Sequence, residues 1–431
     1  MLHPSPTMSE TDIEEKEDAK SVASIPIPAN DNSIPNGGLV AWLQVVGAFF
    51  LLFNTSGIVN SFGVFQTYYE SNIMPDENPS RISWVGSLQG CLVLFIGSLT
   101  GPLFDLGHFR ALMVGGTLML VFGMMMTSLC HEYWQFMLAQ SVCFGLGGAC
   151  LFVPGMAIVS TYFSTKRALA IGFVACGSSV GAVVYSVAFR NLVNHLGFPW
   201  TQRIFGFIAL GTLLISNALL RARIAPAHRR SFFALHSLKE PAFVIFLFGV
   251  FVGYMGVYIP FYHVTAYAQQ RTGASEALSF YLVAIINGAS GFGRVLPNLI
   301  ADKLGPFNTI IPLAAASIVL AFGWMGIENV PGICIFAILY GFTTGAYVSL
   351  PPACIASLTK DLHEVGARVG MCFLFAGLGM LIGNPIAGAL VDLETKSYWK
   401  AQLCCAMLLV GSTSLFILSR LILSRQIFKR L

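Results

Sequence analysis

The chain has 431 residues, 55% hydrophobic and only 10% charged, with a mean hydropathy of +0.73. A soluble domain carries about 25% charged residues, so a water-covered globule is excluded. A net charge of +4 is too small to recommend nucleic acid as a partner.

In chain order, residues 1–38 come first, with Ser, Pro, Asn and an acidic run around "ETDIEEKEDAK". They read as a disordered tail and lack the basic-then-apolar pattern of a signal peptide. Twelve apolar stretches follow, near 39–65, 82–104, 111–130, 134–161, 168–192, 203–221, 241–268, 278–301, 308–328, 332–358, 365–392 and 398–423. Each is long enough to cross a ~30 Å hydrocarbon layer as a helix. The expected fold class is therefore an all-α membrane protein with twelve transmembrane helices. An Asn-Thr-Ser triplet at Asn54 has the glycosylation pattern, but it lies inside the first span, where no glycan is added.

With the tail in the cytoplasm, seventeen of the Lys and Arg residues fall on the cytoplasmic side and six on the other, Arg294 lying inside a span. That bias follows the positive-inside rule and predicts both termini in the cytoplasm, the plasma membrane being favoured over a vacuolar or other internal membrane. The ten cysteines lie in or beside spans, with no C-x-x-C and no Cys/His cluster of metal-ligand spacing. They read as small apolar packing residues, and no metal or cofactor is expected. No paired carboxylates and no nucleophile–base spacing appear inside the spans, and there is no G-x-x-x-x-G-K-[ST] phosphate loop. Neither an enzyme nor an ATP-driven pump is indicated.

The chain also repeats itself. Asp105 and Asp302 lie 197 residues apart, as do Gly148 and Gly345, and Pro154 and Pro351; Gly172 and Gly370 lie 198 apart. This divides it into six-helix bundles at 39–221 and 241–424, joined by a basic linker at 222–240 and followed by a tail at 425–431. Tandem halves with short loops suit a machine that rocks around a central site.

At these residues the chain resembles the major facilitator superfamily. "GPLFDLGHFR" (101–110) and "PNLIADKLGPFN" (297–308) are similar to its loop motif after the second and eighth spans. Leu106 stands where the first copy should be basic, and Asn298 replaces the leading glycine of the second. "YFSTKRALAIGFVACGSSVG" (162–181) resembles the fifth-helix signature of the monocarboxylate transporters. "NGGLVAW" (36–42) resembles their first-helix signature, with Asn36 at its acidic position. The details look most like the fungal branch of that family, over about residues 36–425. The resemblance implies two six-helix pseudo-repeats and alternating access. It also implies gating on the cytoplasmic side by Asp105, Arg110, Lys166, Arg167, Asp302 and Lys303. There each loop carboxylate would face a helix N-terminus of the opposite half. Plain solvated loop charges are the alternative.

Arg294 is the focus of the substrate reading. It lies eight residues before Asp302, so roughly 12 Å inside the boundary at 1.5 Å per residue. An arginine at such depth costs about 2.5–3.5 kcal/mol, and its planar fork suits a carboxylate. Gly288, Ser290, Gly291 and Gly293 are expected to leave open volume beside it. The alternative is a structural arginine capping carbonyls near Pro297. The resemblance places a substrate arginine at this point of the eighth helix. It also implies an acidic residue at the position of Ser290 and a lysine at that of Asn60, so the family's usual proton-coupling pair is missing. Asn287, Tyr347 and His263 complete the expected binding set; His263 titrates near neutrality and is a candidate proton carrier or a plain interfacial residue.

The expected function is secondary active or facilitative transport of a small organic anion. Proton-driven efflux of a fungal secondary metabolite is one alternative, and a transporter-like nutrient receptor another, less suited to so short an N-terminal extension. The expected partners are a small-molecule substrate and the lipid bilayer. A monomer suffices for the fold, and an accessory subunit stays open.

Overall fold

The computed structural model describes residues 35–163, 166–222, 235–359, 364–392 and 395–423; the side chains of Asp105, Arg167, Ala168 and Leu235 are also outside the described set. The expected tails at 1–38 and 425–431 and the linker at 222–240 therefore lie largely outside it. Of the linker, a short 3₁₀ turn at Leu235–Lys239 is described.

Among the described residues eleven helices are long and apolar enough to span a bilayer: α1 Leu39–Ile73, α2 Pro79–Phe104, α3 Phe109–Thr127, α4 Tyr133–Tyr162, the long helix Leu169–Leu219, α7 Pro241–Arg271, α8 Glu276–Leu304, α9 Pro306–Trp324, α10 Val330–Leu358, α11 Val365–Leu390 and α12 Trp399–Leu423. The 51 residues of Leu169–Leu219 would reach about 75 Å if straight, more than twice a bilayer core. Gly197 breaks them, with φ 74° and ψ 169°, a conformation open in practice to glycine alone. Pro199 then starts the next helix. The long helix is thus α5 (167–196) and α6 (198–219), and the chain crosses twelve times. A loop was expected between residues 192 and 203; instead helix continues to Gly197, where one glycine makes the whole turn.

Local sequence sets the starts of several helices. The Asn78 side chain accepts from Ser80 N at 3.0 Å ahead of Pro79. Ser275 Oγ accepts from Leu278 N at 3.3 Å, and Asn329 Oδ1 from Gly332 N at 2.7 Å. Each satisfies an amide that the first turn leaves without a partner. Helix α1 is interrupted at Thr55 and Ser61 and ends in a π-wound turn at Tyr69–Ile73. Helix α7 is interrupted at Tyr258, and α10 at Leu350 before Pro351.

The halves repeat in their packing. A Cβ on Gly177 would sit 2.3 Å from the Phe49 carbonyl oxygen, and one on Gly181 2.3 Å from that of Phe53, so α5 lies directly on α1. In the second half a Cβ on Gly379 would sit 2.2 Å from the Phe251 oxygen and one on Gly383 2.1 Å from that of Met255, α11 on α7. Small residues that let helix backbones touch are the usual cement of membrane bundles. All four residue pairs in this correspondence are separated by 202 positions. Gly148 against Val93 and Gly345 against Ser290 keep the expected 197. The expected pairing of Gly172 with Gly370 does not hold, because the α5/α11 register is 202 rather than 198.

Candidate functional site

An even number of crossings puts the described ends, near residues 36 and 423, on one face, called here the terminal face. The halves meet most tightly toward the opposite, far face. There a Cβ on Gly63 of α1 would lie 1.9 Å from the Phe261 oxygen of α7, with the Phe62 and Tyr262 rings 5.1 Å apart. Ser80 Oγ of α2 donates to the Pro385 carbonyl of α11 at 2.7 Å, Asn384 Nδ2 to Ser87 Oγ at 3.3 Å, and Arg190 pairs with Glu276 at 3.6 Å. Along α2 and α11 the space left for a Cβ on the α11 glycines grows toward the terminal face, its nearest neighbour on α2 lying at 2.8 Å for Gly388, 3.1 Å for Gly377 and 3.7 Å for Gly370. The far face is closed.

Arg294 lies where α8 crosses α5. It is buried, 6% exposed, and its Nη1 donates to Ser178 Oγ in the opposite half. Its Nε is buried without a hydrogen-bond partner among the described residues, and none of the ion pairs found among them involves Arg294. Its charge reaches the hydroxyls of Tyr254 and Tyr258 on α7 and the thiol of Cys176 on α5. The carbonyl-capping alternative is not what the guanidinium does; Asn298 Nδ2 takes the Arg294 carbonyl at 2.6 Å and Ser349 Oγ at 2.8 Å.

The neighbouring small residues do not leave the expected space. A Cβ on Gly291 would lie 3.1 Å from the Ser179 side chain, one on Gly293 2.0 Å from the Phe342 oxygen, and one on Gly345 2.3 Å from the Ser290 oxygen. They are where α8 touches α5 and α10, and only at Gly288, where a Cβ would lie 3.7 Å from Val183, would an added side chain meet ordinary contact distance.

Asn287 Nδ2 donates to the Val283 carbonyl at 2.8 Å and across the halves to the Asn60 carbonyl at 3.1 Å. Asn60 therefore meets α8 through its backbone at the end of the short segment before Ser61. Asn287, Ser290 and Asn60 are all buried. Tyr347 is turned away from the interface between the halves. Its hydroxyl is paired with Ser412 of α12, its ring lies 5.5 Å from Phe416, and it holds α10 to α12. His263 is buried, with Nε2 unpartnered among the described residues.

Of the expected gating residues, Arg110 serves its own half, donating to the Asn217 carbonyl near the end of α6 at 2.6 Å. Lys166, Asp302 and Lys303 are exposed. The side chains of Asp105 and Arg167 lie outside the described residues.

Three features escaped sequence reasoning. Ser178, the partner of Arg294, is one small polar residue among many. Arg368 at the start of α11 is 3% exposed, bidentate to Glu240 at 2.8 and 2.7 Å and bonded to Glu364 at 3.2 Å; its signal is the i, i+4 spacing from Glu364. Glu70, in the π-wound end of α1, is bonded by the Gln66 amide; its signal is a carboxylate placed just before an apolar span ends.

A family model described as Major Facilitator Superfamily matches residues 38–332. The chain is 43% identical over 364 residues to the MFS-type transporter dbaD of Emericella nidulans, covering 84% of this chain and 82% of that one. It is 39% identical to the MFS transporter asaE of Aspergillus flavus (90% and 88% covered). It is 35% identical to the aspyridones efflux protein apdF of Emericella nidulans (92% and 81% covered). Among solved structures, the nucleoside transporter NupG superposes with a TM-score of 0.68, at 13% identity, over 89% of this chain and all of the other.

Proposed function

The chain belongs to the major facilitator superfamily, and we propose that within it the protein is a proton-driven exporter of a fungal secondary metabolite bearing one acidic group. The observation that carries this reading is Arg294: a buried cation between the halves, held by one hydroxyl and with a donor in hand. A buried charge without a counter-charge is costly, and an acidic cargo supplies the missing partner. The relative named as an aspyridones efflux protein supports the direction of transport and sets export of a metabolite above uptake of a small monocarboxylate. Ser290 and Asn60, which do not titrate, support the same departure from the monocarboxylate pattern.

The positive-inside count puts the terminal face in the cytoplasm and the far face outside, most simply at the plasma membrane. The closed far face then corresponds to the loading state. In the complementary state the terminal face closes, and there we assign the gating role to Asp105, Lys166, Arg167, Asp302 and Lys303.

The test uses reconstituted protein and matched cargoes, an acidic polyketide and its neutral methyl ester. Arg294→Lys keeps the charge and loses the fork. A charge-assisted pair of about 1.5–3 kcal/mol predicts roughly ten- to hundredfold weaker binding of the acid, with the ester unaffected. Equal affinity of wild type and variant for the acid removes the role of Arg294.

A further inference from the structure

At the far face, a cavity of about 140 Å³ lies between α1 and α7, lined by Thr67, Glu70, Ser71 and Glu77 on one side and by Ala266, Gln269 and Gln270 on the other. Glu70 is half-buried. The Gln66 amide that bonds it is itself fixed, donating to the Pro79 carbonyl at 3.1 Å and accepting from Ser83 Oγ at 3.3 Å. Across the cavity Gln270 Oε1 accepts from the Tyr398 hydroxyl at 3.1 Å. Burial pushes that hydroxyl above its usual range, and the Glu70 charge adds to the effect.

The charged and titratable groups around Glu70 do not neutralise it. On the α2 side Glu77 is taken by Arg81 at 2.9 Å. At the end of α7 Arg271 pairs with Glu328 at 3.6 Å. His263 lies on α7 seven residues before Gln270, about 10 Å deeper. Tyr69 precedes Glu70 on α1 and bonds Gln140 at 2.6 Å. No cation among the described residues forms an ion pair with Glu70.

We propose that Glu70 is a proton-binding latch of the far gate, protonated when the gate is closed and ionised when it is open. Closing α1 onto α7, as at Gly63 and Phe261, takes water from the carboxyl. Dehydration penalises the ionised form, whereas the protonated form gains an O–H donor that the side-chain oxygens of Gln269 and Gln270 can accept. Opening restores water and releases the proton. Resting on the export reading, the latch lets outside acid favour the return to the loading state, because protonation after cargo release closes the outer gate; Glu70 exchanges its proton with the far side only, and the proton that drives export crosses elsewhere.

The test is labelling from the far side by a membrane-impermeant maleimide in Ala266→Cys, a buried gate position. The rate is divided by that of Asn72→Cys, which is exposed and corrects for the pH dependence of thiol chemistry; the parent chain gives the background of native cysteines. The expected ratio rises about fivefold between about pH 5.5 and about pH 8. Glu70→Gln, a mimic of the protonated form, should hold it low at both values, and Glu70→Asp should restore the rise. A rise that persists in Glu70→Gln, or moves with His263→Gln instead, overturns the latch, as does a flat ratio in the chain that retains Glu70. No cargo is needed, so failure here leaves the export reading to its own test.

Discussion

Arg294 and Gly63 show two kinds of residue-scale control. Arg294 costs the bundle a buried charge and places a fork at the crossing of the halves. Gly63 has no side chain because a backbone oxygen occupies the place of its Cβ. In Gly63→Ala one partner must move, and overpacking of this kind costs about 1–3 kcal/mol. The clash exists only in the far-closed state, so that state should lose about tenfold in population. Labelling at Ala266→Cys should then rise and export should slow; unchanged labelling would mean that α1 and α7 separate by another hinge. Arg294 was legible in the sequence because a lone charge in an apolar run has few explanations. Ser178 was not, since a serine in a membrane helix bonds its own backbone as readily as a neighbour. The glycines around Arg294 were misread as space because a missing side chain marks a void and a backbone contact equally well.

At the scale of elements, composition located the twelve crossings, since nothing else explains such apolar runs. It missed the form of the turn at Gly197, because Asn194 and His195 read as a polar loop after residue 192 while the backbone stays helical to residue 196. Gly197→Ala places a Cβ in a conformation that costs about 1–3 kcal/mol, so the thermal midpoint should fall, with transport retained at low temperature. An unaltered midpoint would show that another residue absorbs the turn. A second junction ties the 3₁₀ turn Leu235–Lys239 to α11 through Glu240 and Arg368, with His236 3.4 Å from Glu364. Arg368→Gln removes the bidentate bond, and trypsin should cut after Lys239 several-fold faster if that bond holds the turn. Equal cleavage rates would assign the restraint elsewhere.

Over the whole molecule, two copies of one six-helix design face each other. The glycine contacts of α5 on α1 recur as α11 on α7 at a constant separation of 202, so the halves share one packing scheme. The halves meet through polar links, Arg294 to Ser178, Asn287 to the Asn60 carbonyl and Ser80 to the Pro385 carbonyl, and through apolar packing such as Phe62 on Tyr262 and Phe152 on Phe373. Two repeated bundles that meet along one interface have the architecture that rocks around a central site. The repeat was visible in the loop carboxylates. Its second register was not, because connecting segments of unequal length shift the offset between one helix pair and the next. Proton-driven export of an acidic cargo is tested most directly by flux in inside-out vesicles that hold the protein, with an acidic interior and the acidic polyketide outside. Accumulation against the cargo gradient without ATP is predicted, abolished by an uncoupler and much reduced in Arg294→Lys. Accumulation that ignores the pH gradient, or that is equally fast in Arg294→Lys, would contradict it.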